Sequence, residues 1–168
     1  MKILVADDDV TSIFIFKQIL SGRGHDVVLA SSGKHCLALY QQCMKKLHSD
    51  PSDPIHIQPF DAVMIDFQIS ELSAPEIAKE ILTISPHQRI IFISSLINES
   101  VLESIRKLDV PLAVLQKPIS NKALIDTVEG SDIYNEMKKY KFDVDLFKKA
   151  GWSHELLKKI VDALESNP

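Results

Sequence analysis

Short apolar runs that end abruptly at chemistry-bearing polar residues constrain this chain more than any other feature. Lys2–Ala6 runs into Asp7-Asp8-Asp9, Ala62–Ile65 into Asp66, Arg89–Ile93 into Ser94-Ser95, and Leu112–Leu115 ends just before Lys117-Pro118. A fifth run, Asp26–Ala30, lies between helical patterns at Val10–Leu20, whose Ile13, Phe14, Lys17, Ile19 and Leu20 give a broad apolar stripe, and at Ser32–Leu47. Further helices are expected after Ser73, over Asn98–Leu108, and from a cap at Ser120 to about Glu129. Ser73-Ala74-Pro75-Glu76 has the form of a capping box with proline in the first turn. Nearly continuous apolar strands require burial on both faces. Five strands alternating with five helices therefore predict an α/β fold, a parallel sheet between helix layers.

Composition agrees. Of 168 residues, 45% are hydrophobic and 25% charged, which excludes a disordered chain and supports a sizeable core. No apolar run reaches the roughly 18 residues of a membrane span, and the opening Met1–Ala6 meets three aspartates at once, unlike a signal peptide. The net charge of −4 gives no basic face, so nucleic acid is not expected as a direct ligand. Cys36 and Cys43 read as buried or half-buried thiols in a reducing, cytoplasmic setting. The six histidines show no metal-ligand spacing.

The chain divides at about residue 130. Within residues 1–130, Ser49-Asp50-Pro51-Ser52-Asp53-Pro54 forms a long turn-rich insertion. Residues 131–168 lack strand candidates and carry seven lysines against seven acidic residues. Ile133, Tyr134, Met137 and Tyr140 follow helical spacing. Asp143–Ala150 reads as a short helix, and Leu156, Leu157, Ile160, Val161 and Leu164 form an apolar stripe.

Ligands of open parallel sheets bind beyond the carboxyl ends of the strands. There this chain gathers Asp7, Asp8, Asp9, Asp66, Ser94 and Lys117. Crowded carboxylates call for a hard cation such as Mg²⁺, and the lysine and serine suit phosphoryl oxygens. The pattern is that of a phosphoryl-transfer site. A solvated acidic loop and a surface lysine would explain any one motif alone, but not four that converge on one rim.

ILVADDD at 3–9, VMID at 63–66, IIFISS at 90–95 and LQKP at 115–118 together resemble the receiver domain of two-component response regulators, of the stand-alone chemotaxis-regulator type. The resemblance implies a flavodoxin-like, doubly wound five-stranded parallel sheet of order 2-1-3-4-5, followed here by C-terminal helices. It implies that Asp66 accepts the phosphoryl group. Asp8 would bind Mg²⁺ directly and Asp7 through water, and Asp66 and the Gln68 carbonyl would complete the protein's ligands. Ser94 would be the switch hydroxyl, Lys117 the phosphate-binding ammonium, and Lys117-Pro118 a cis bond. The implied partners are a sensor histidine kinase or phosphotransfer protein, an output protein the sequence does not identify, and a second copy of the chain as a homodimer.

Departures from the family pattern are specific. Ile69 and Ser70 stand where methionine and proline are common, Ala74 where glycine is usual, and Val114 where an aromatic switch residue is expected. The insertion before the third strand is about a dozen residues longer than usual, which a surface loop tolerates. Two other readings compete. Asp7-Asp8-Asp9-Val10-Thr11 also fits a haloacid-dehalogenase-like phosphatase with Asp7 as nucleophile and Asp9 as general acid. That reading gives Asp66 no role and lacks the acidic pair its family places after a later strand. A receiver with a reduced DNA-binding output is the third reading. The final helix pattern, His154–Asn167, carries two lysines against three acids, unlike a basic recognition helix.

Overall fold

The computed structural model describes residues 1–47, 58–108 and 112–129, together with Met137, Tyr140, Phe142, Ile160, Val161, Ala163 and Leu164. The elements run β1 (Lys2–Ala6), α1 (Val10–Gly22), β2 (Asp26–Ala30), α2 (Gly33–Leu47), β3 (Ala62–Asp66), α3 (Ala74–Ile84), β4 (Ile90–Ser94), α4 (Glu99–Arg106), β5 (Ala113–Gln116) and α5 (Asn121–Glu129). All five strands are parallel, in the order β2-β1-β3-β4-β5, as expected. The turn-rich insertion lies outside the described residues, as do most of the C-terminal helical patterns. Of those, Met137, Ile160, Val161, Ala163 and Leu164 are helical.

Strand alternation explains the layers. Leu4, Ala6, Val63, Ile65, Ile90 and Phe92 point to one face and form a single core with Cys36 and Tyr40 of α2, Ile77 and Ile81 of α3, and Val101 and Ile105 of α4. The alternate residues Ile3, Val5, Met64, Ile91 and Ile93 are just as fully buried on the other face. Helix α1 runs against β1 and β2 and buries Phe16 and Leu20. Each large aliphatic side chain removed from water contributes about 1.5–3 kcal/mol, so β1, β3 and β4 anchor the domain.

One expected face turns out differently. Phe14, assigned to the apolar stripe of α1, is 64% exposed, and Val10 and Ile15 are also exposed. The helix is apolar around most of its circumference, and the buried row is set by Phe16 and Leu20, four residues apart.

Local signals behave as their chemistry dictates. Ser73 and Glu76 form the capping box of α3, with proline in its first turn. Asn98 caps α4, its side chain accepting from the Val101 N–H at 3.0 Å. Beneath the sheet, the Tyr40 hydroxyl donates to Gln88 Oε1 at 2.9 Å, and Gln88 Nε2 donates to the carbonyls of Phe60 (3.0 Å) and Arg89 (3.2 Å). This buried relay ties α2 to the segments entering β3 and β4.

By internal contacts the chain forms two compact units, Met1–Asn121 and Lys122–Pro168. Helix α5 belongs to the second of these units. In that second unit, Leu124, Val128, Met137 and Val161 are buried, and the Tyr140 and Phe142 N–H groups both donate to the Met137 carbonyl, closing a turn.

Candidate functional site

The three consecutive aspartates after β1 take three different environments. Asp7 is 2% exposed, Asp8 and Asp9 are exposed. Asp9 is the N-cap of α1: its carboxylate accepts from the Thr11 and Ser12 N–H groups and from the Ser12 hydroxyl at 2.7 Å. Those bonds, the Ser12 hydroxyl foremost, hold the Asp9 carboxyl below its usual pKa. Helix capping explains this acid without any catalytic role.

Asp7 and Asp66 are joined by Lys117. The Lys117 ammonium, at the end of β5, lies 2.9 Å from Asp7 Oδ2 and 2.6 Å from Asp66 Oδ1. Each carboxylate also receives a backbone donor. Asp9 N–H donates to Asp7 Oδ1 and Gln68 N–H to Asp66 Oδ2, both at 2.9 Å. Burial pushes the Asp7 pKa up, more than its bonds to Lys117 and Asp9 pull it down. Burial alone would lower the Lys117 pKa, but its bonds to Asp66 and then Asp7 outweigh this and raise it. The lysine therefore stays a cation between two acids.

Ser94 closes the same rim at the end of β4. Its hydroxyl donates to the Leu96 carbonyl at 2.7 Å and accepts from the Leu96 N–H at 3.2 Å. Its own carbonyl accepts from the Lys117 N–H at 2.8 Å. The Lys117-Pro118 bond is cis, as expected. Val114 in β5 is half-buried against the core under α2–α4. Asp8 reaches the loop after β3, where its Oδ2 accepts from the Ser70 N–H at 3.1 Å.

The structure thus brings Asp7, Asp66, Lys117 and Ser94 together, with Asp8 beside them and Gln68 in the adjoining loop. Among the described residues, no three histidine, cysteine or acidic side chains form a ready-made metal cluster. The donor set still fits Mg²⁺: a buried carboxylate, an exposed one alongside it, and loop carbonyls are hard oxygen ligands that leave room for coordinated water. Sequence reasoning missed Ser70, whose side chain is unremarkable and whose contribution is a backbone N–H.

Residues 3–129 match the response regulator receiver domain family. The chain belongs to that family. It is 30% identical over 130 residues to the transcriptional regulatory protein ZraR of Salmonella typhimurium, covering 77% of this chain and 26% of that protein. A shorter match, 30% over 86 residues, joins it to ZraR of Escherichia coli, covering 51% of this chain and 16% of that one. The chain therefore spans about a quarter or less of the length of these relatives.

Among solved structures, it shares its fold with a receiver domain from Clostridium thermocellum (TM-score 0.61, 24% identity, 77% of this chain and 91% of that one). It does so too with a CheX-CheY-BeF3-Mg complex from Borrelia burgdorferi (TM-score 0.64, 17% identity, 77% and 87%). The chain is a receiver domain of a two-component response regulator. Receiver domains act as phosphoacceptor switches, bind Mg²⁺ in an acidic pocket, and interact with histidine kinases or phosphotransfer proteins.

The geometry also disfavours the phosphatase alternative. Asp9, the general acid of that reading, is instead the N-cap of α1. A general acid needs a raised pKa, and that of Asp9 is lowered. No helix among the described residues is long and apolar enough to cross a membrane.

Proposed function

We propose that Asp66 is the phosphoacceptor of this receiver and that its partner is a phosphohistidine on a sensor kinase or phosphotransfer protein. The supporting observation is the Lys117 ammonium set between Asp7 and Asp66. A carboxylate oxygen of Asp66 attacks phosphorus in line. The P–N bond to the histidine breaks as the P–O bond forms, and the electron pair leaves with the imidazole. Mg²⁺, held by Asp8, by Asp7 through water, by Asp66 and by the Gln68 carbonyl, would supply charge neutralisation for the phosphoryl oxygens. Lys117 exchanges its contact with the Asp66 carboxylate for the new phosphoryl oxygens, and the Ser94 hydroxyl leaves Leu96 to join it. In this sense the domain assists its own phosphorylation and dephosphorylation. Exposed Val10, Phe14 and Ile15 beside the site offer the partner an apolar docking face on α1.

Residues 1–130 form the phosphoacceptor part in this reading, in the cytoplasm, and 131–168 a helical element for protein contacts. The charge balance of 131–168 withholds the electrostatic attraction that dominates DNA binding.

The deciding experiment incubates the protein with a small phosphodonor and Mg²⁺ and locates acid-labile phosphate by peptide mass spectrometry. Label is expected on Asp66 and is lost in Asp66→Asn. Label on Asp7 that survives Asp66→Asn would restore the phosphatase reading.

A further inference from the structure

Ser70 has every backbone polar group engaged, in a way that joins two elements. Its N–H donates to Oδ2 of the exposed Asp8 carboxylate at 3.1 Å. Its carbonyl accepts twice, from the Leu72 N–H at 3.0 Å and from the Gly33 N–H at 3.1 Å. The first of these closes a γ-turn around Glu71, whose φ of +71° is a conformation that non-glycine residues rarely adopt. Such strain persists only where the surroundings over-determine it. The second engages one of the N–H groups at the start of α2 that no helical carbonyl can reach.

Gly33 makes this approach feasible. A Cβ there would lie 2.9 Å from Leu72 Cβ, 2.9 Å from Ile77 Cδ1 and 3.2 Å from the Leu72 nitrogen. The loop after β3 is therefore pressed against the first residue of α2, and its position is fixed from outside the acidic rim.

We propose that Ser70 is the positioning residue of Asp8. Its N–H holds one carboxylate oxygen so that the other is presented to a divalent cation, and its carbonyl anchors that arrangement on α2. A carboxylate that binds a metal through one oxygen is oriented by what its second oxygen accepts. Proline, common in the family at this position, has no N–H and cannot do this. The inference rests on Asp8 being a cation ligand, as proposed above.

The test measures Mg²⁺ binding to the full chain by calorimetry, with amide shifts followed by NMR. Asp8→Asn should abolish or greatly weaken binding. Ser70→Pro should weaken it about tenfold, and Ser70→Ala, which keeps the N–H, should bind as wild type does. Gly33→Ala should weaken binding by displacing the loop. In the wild type the Ser70 and Gly33 amides should shift together with the same Mg²⁺ midpoint, a readout that holds even if Ser70→Pro fails to fold. Wild-type affinity in Ser70→Pro, or a Ser70 amide indifferent to Mg²⁺, while Asp8→Asn loses binding, overturns this proposal alone. Unchanged affinity in Gly33→Ala overturns the anchoring on α2. Equal binding by Asp8→Asn and wild type overturns the cation-ligand reading beneath it.

Discussion

Lys117 at the end of β5 places its ammonium 2.6 Å from Oδ1 of Asp66 at the end of β3, reaching past β4, which lies between the two strands. The contact spans a strand because all three strands terminate at one rim and the lysine stem is long enough to cross it. A cation already seated beside the acceptor needs little reorganisation to meet an incoming phosphoryl group.

Lys117→Ala should separate chemistry from response. Label from a small phosphodonor should still reach Asp66, slowed by up to about a hundredfold. The phosphate-dependent conformational change should disappear, because the ammonium contacts the phosphoryl group after transfer as well as during it. Amide exchange with and without a phosphate mimic checks this.

Ser94→Ala should accept phosphate on Asp66 yet lose the response in the loop and α4 that follow. The hydroxyl that now binds Leu96 at both its N–H and carbonyl is the group that would move. A wild-type exchange pattern around residues 94–106 in the variant would refute the switch role.

Phe14→Asp should leave labelling by a small phosphodonor unchanged and slow transfer from a partner's phosphohistidine by roughly tenfold, the scale of one docking side chain. Phe14 is 64% exposed, so the fold should tolerate the change.

Truncation after Gly130 should leave phosphorylation of Asp66 largely intact and change the oligomeric state or partner binding. Unchanged stability, solution mass and partner binding would argue against an output role for 131–168. So would salt-sensitive DNA binding that is lost with the segment.

Alkaline pH should destabilise the domain through α2. Burial pushes the Cys36 thiol from 9.0 to about 12 and the Tyr40 phenol from 10.0 to about 12. Both folded values are raised, so the native state holds these protons more tightly than the unfolded chain. Their stabilising contribution is complete below about pH 9 and is lost as pH rises toward about 12. Denaturant melts at pH 7, 9 and 11 test this. At neutral pH a thiol reagent should modify half-exposed Cys43 and spare buried Cys36. Gln88→Leu should cost about 2 kcal/mol, more than the roughly 1 kcal/mol of Tyr40→Phe, since it strands the Phe60 carbonyl and takes an acceptor from the Tyr40 hydroxyl, while the Arg89 carbonyl keeps the Val63 N–H.

By itself the sequence determined the sheet, its order by resemblance, and the identity of the residues at its rim. Strands buried on both faces must be apolar throughout, so each stands out, and the first polar residue after it lies at the rim. The capping box of α3 was legible for a similar reason, since its partners are three residues apart. Tertiary structure alone decided how the rim is wired. Asp7, Asp8 and Asp9 are alike in sequence, yet one is buried against Lys117, one accepts from a distant loop N–H, and one caps a helix. Gln88 reads as an ordinary loop residue and proves 3% exposed, bonded to Tyr40 and to two carbonyls. Which row of α1 faces the sheet was equally open, because a helix apolar on most sides has no preferred face until it packs. Ser70 and Gly33 meet through backbone atoms, which every residue but proline carries alike, so only the folded chain reveals the contact. Local pattern records what a residue's neighbours in sequence demand of it. A hydrogen bond between residues far apart in the chain depends on where the whole sheet brings them.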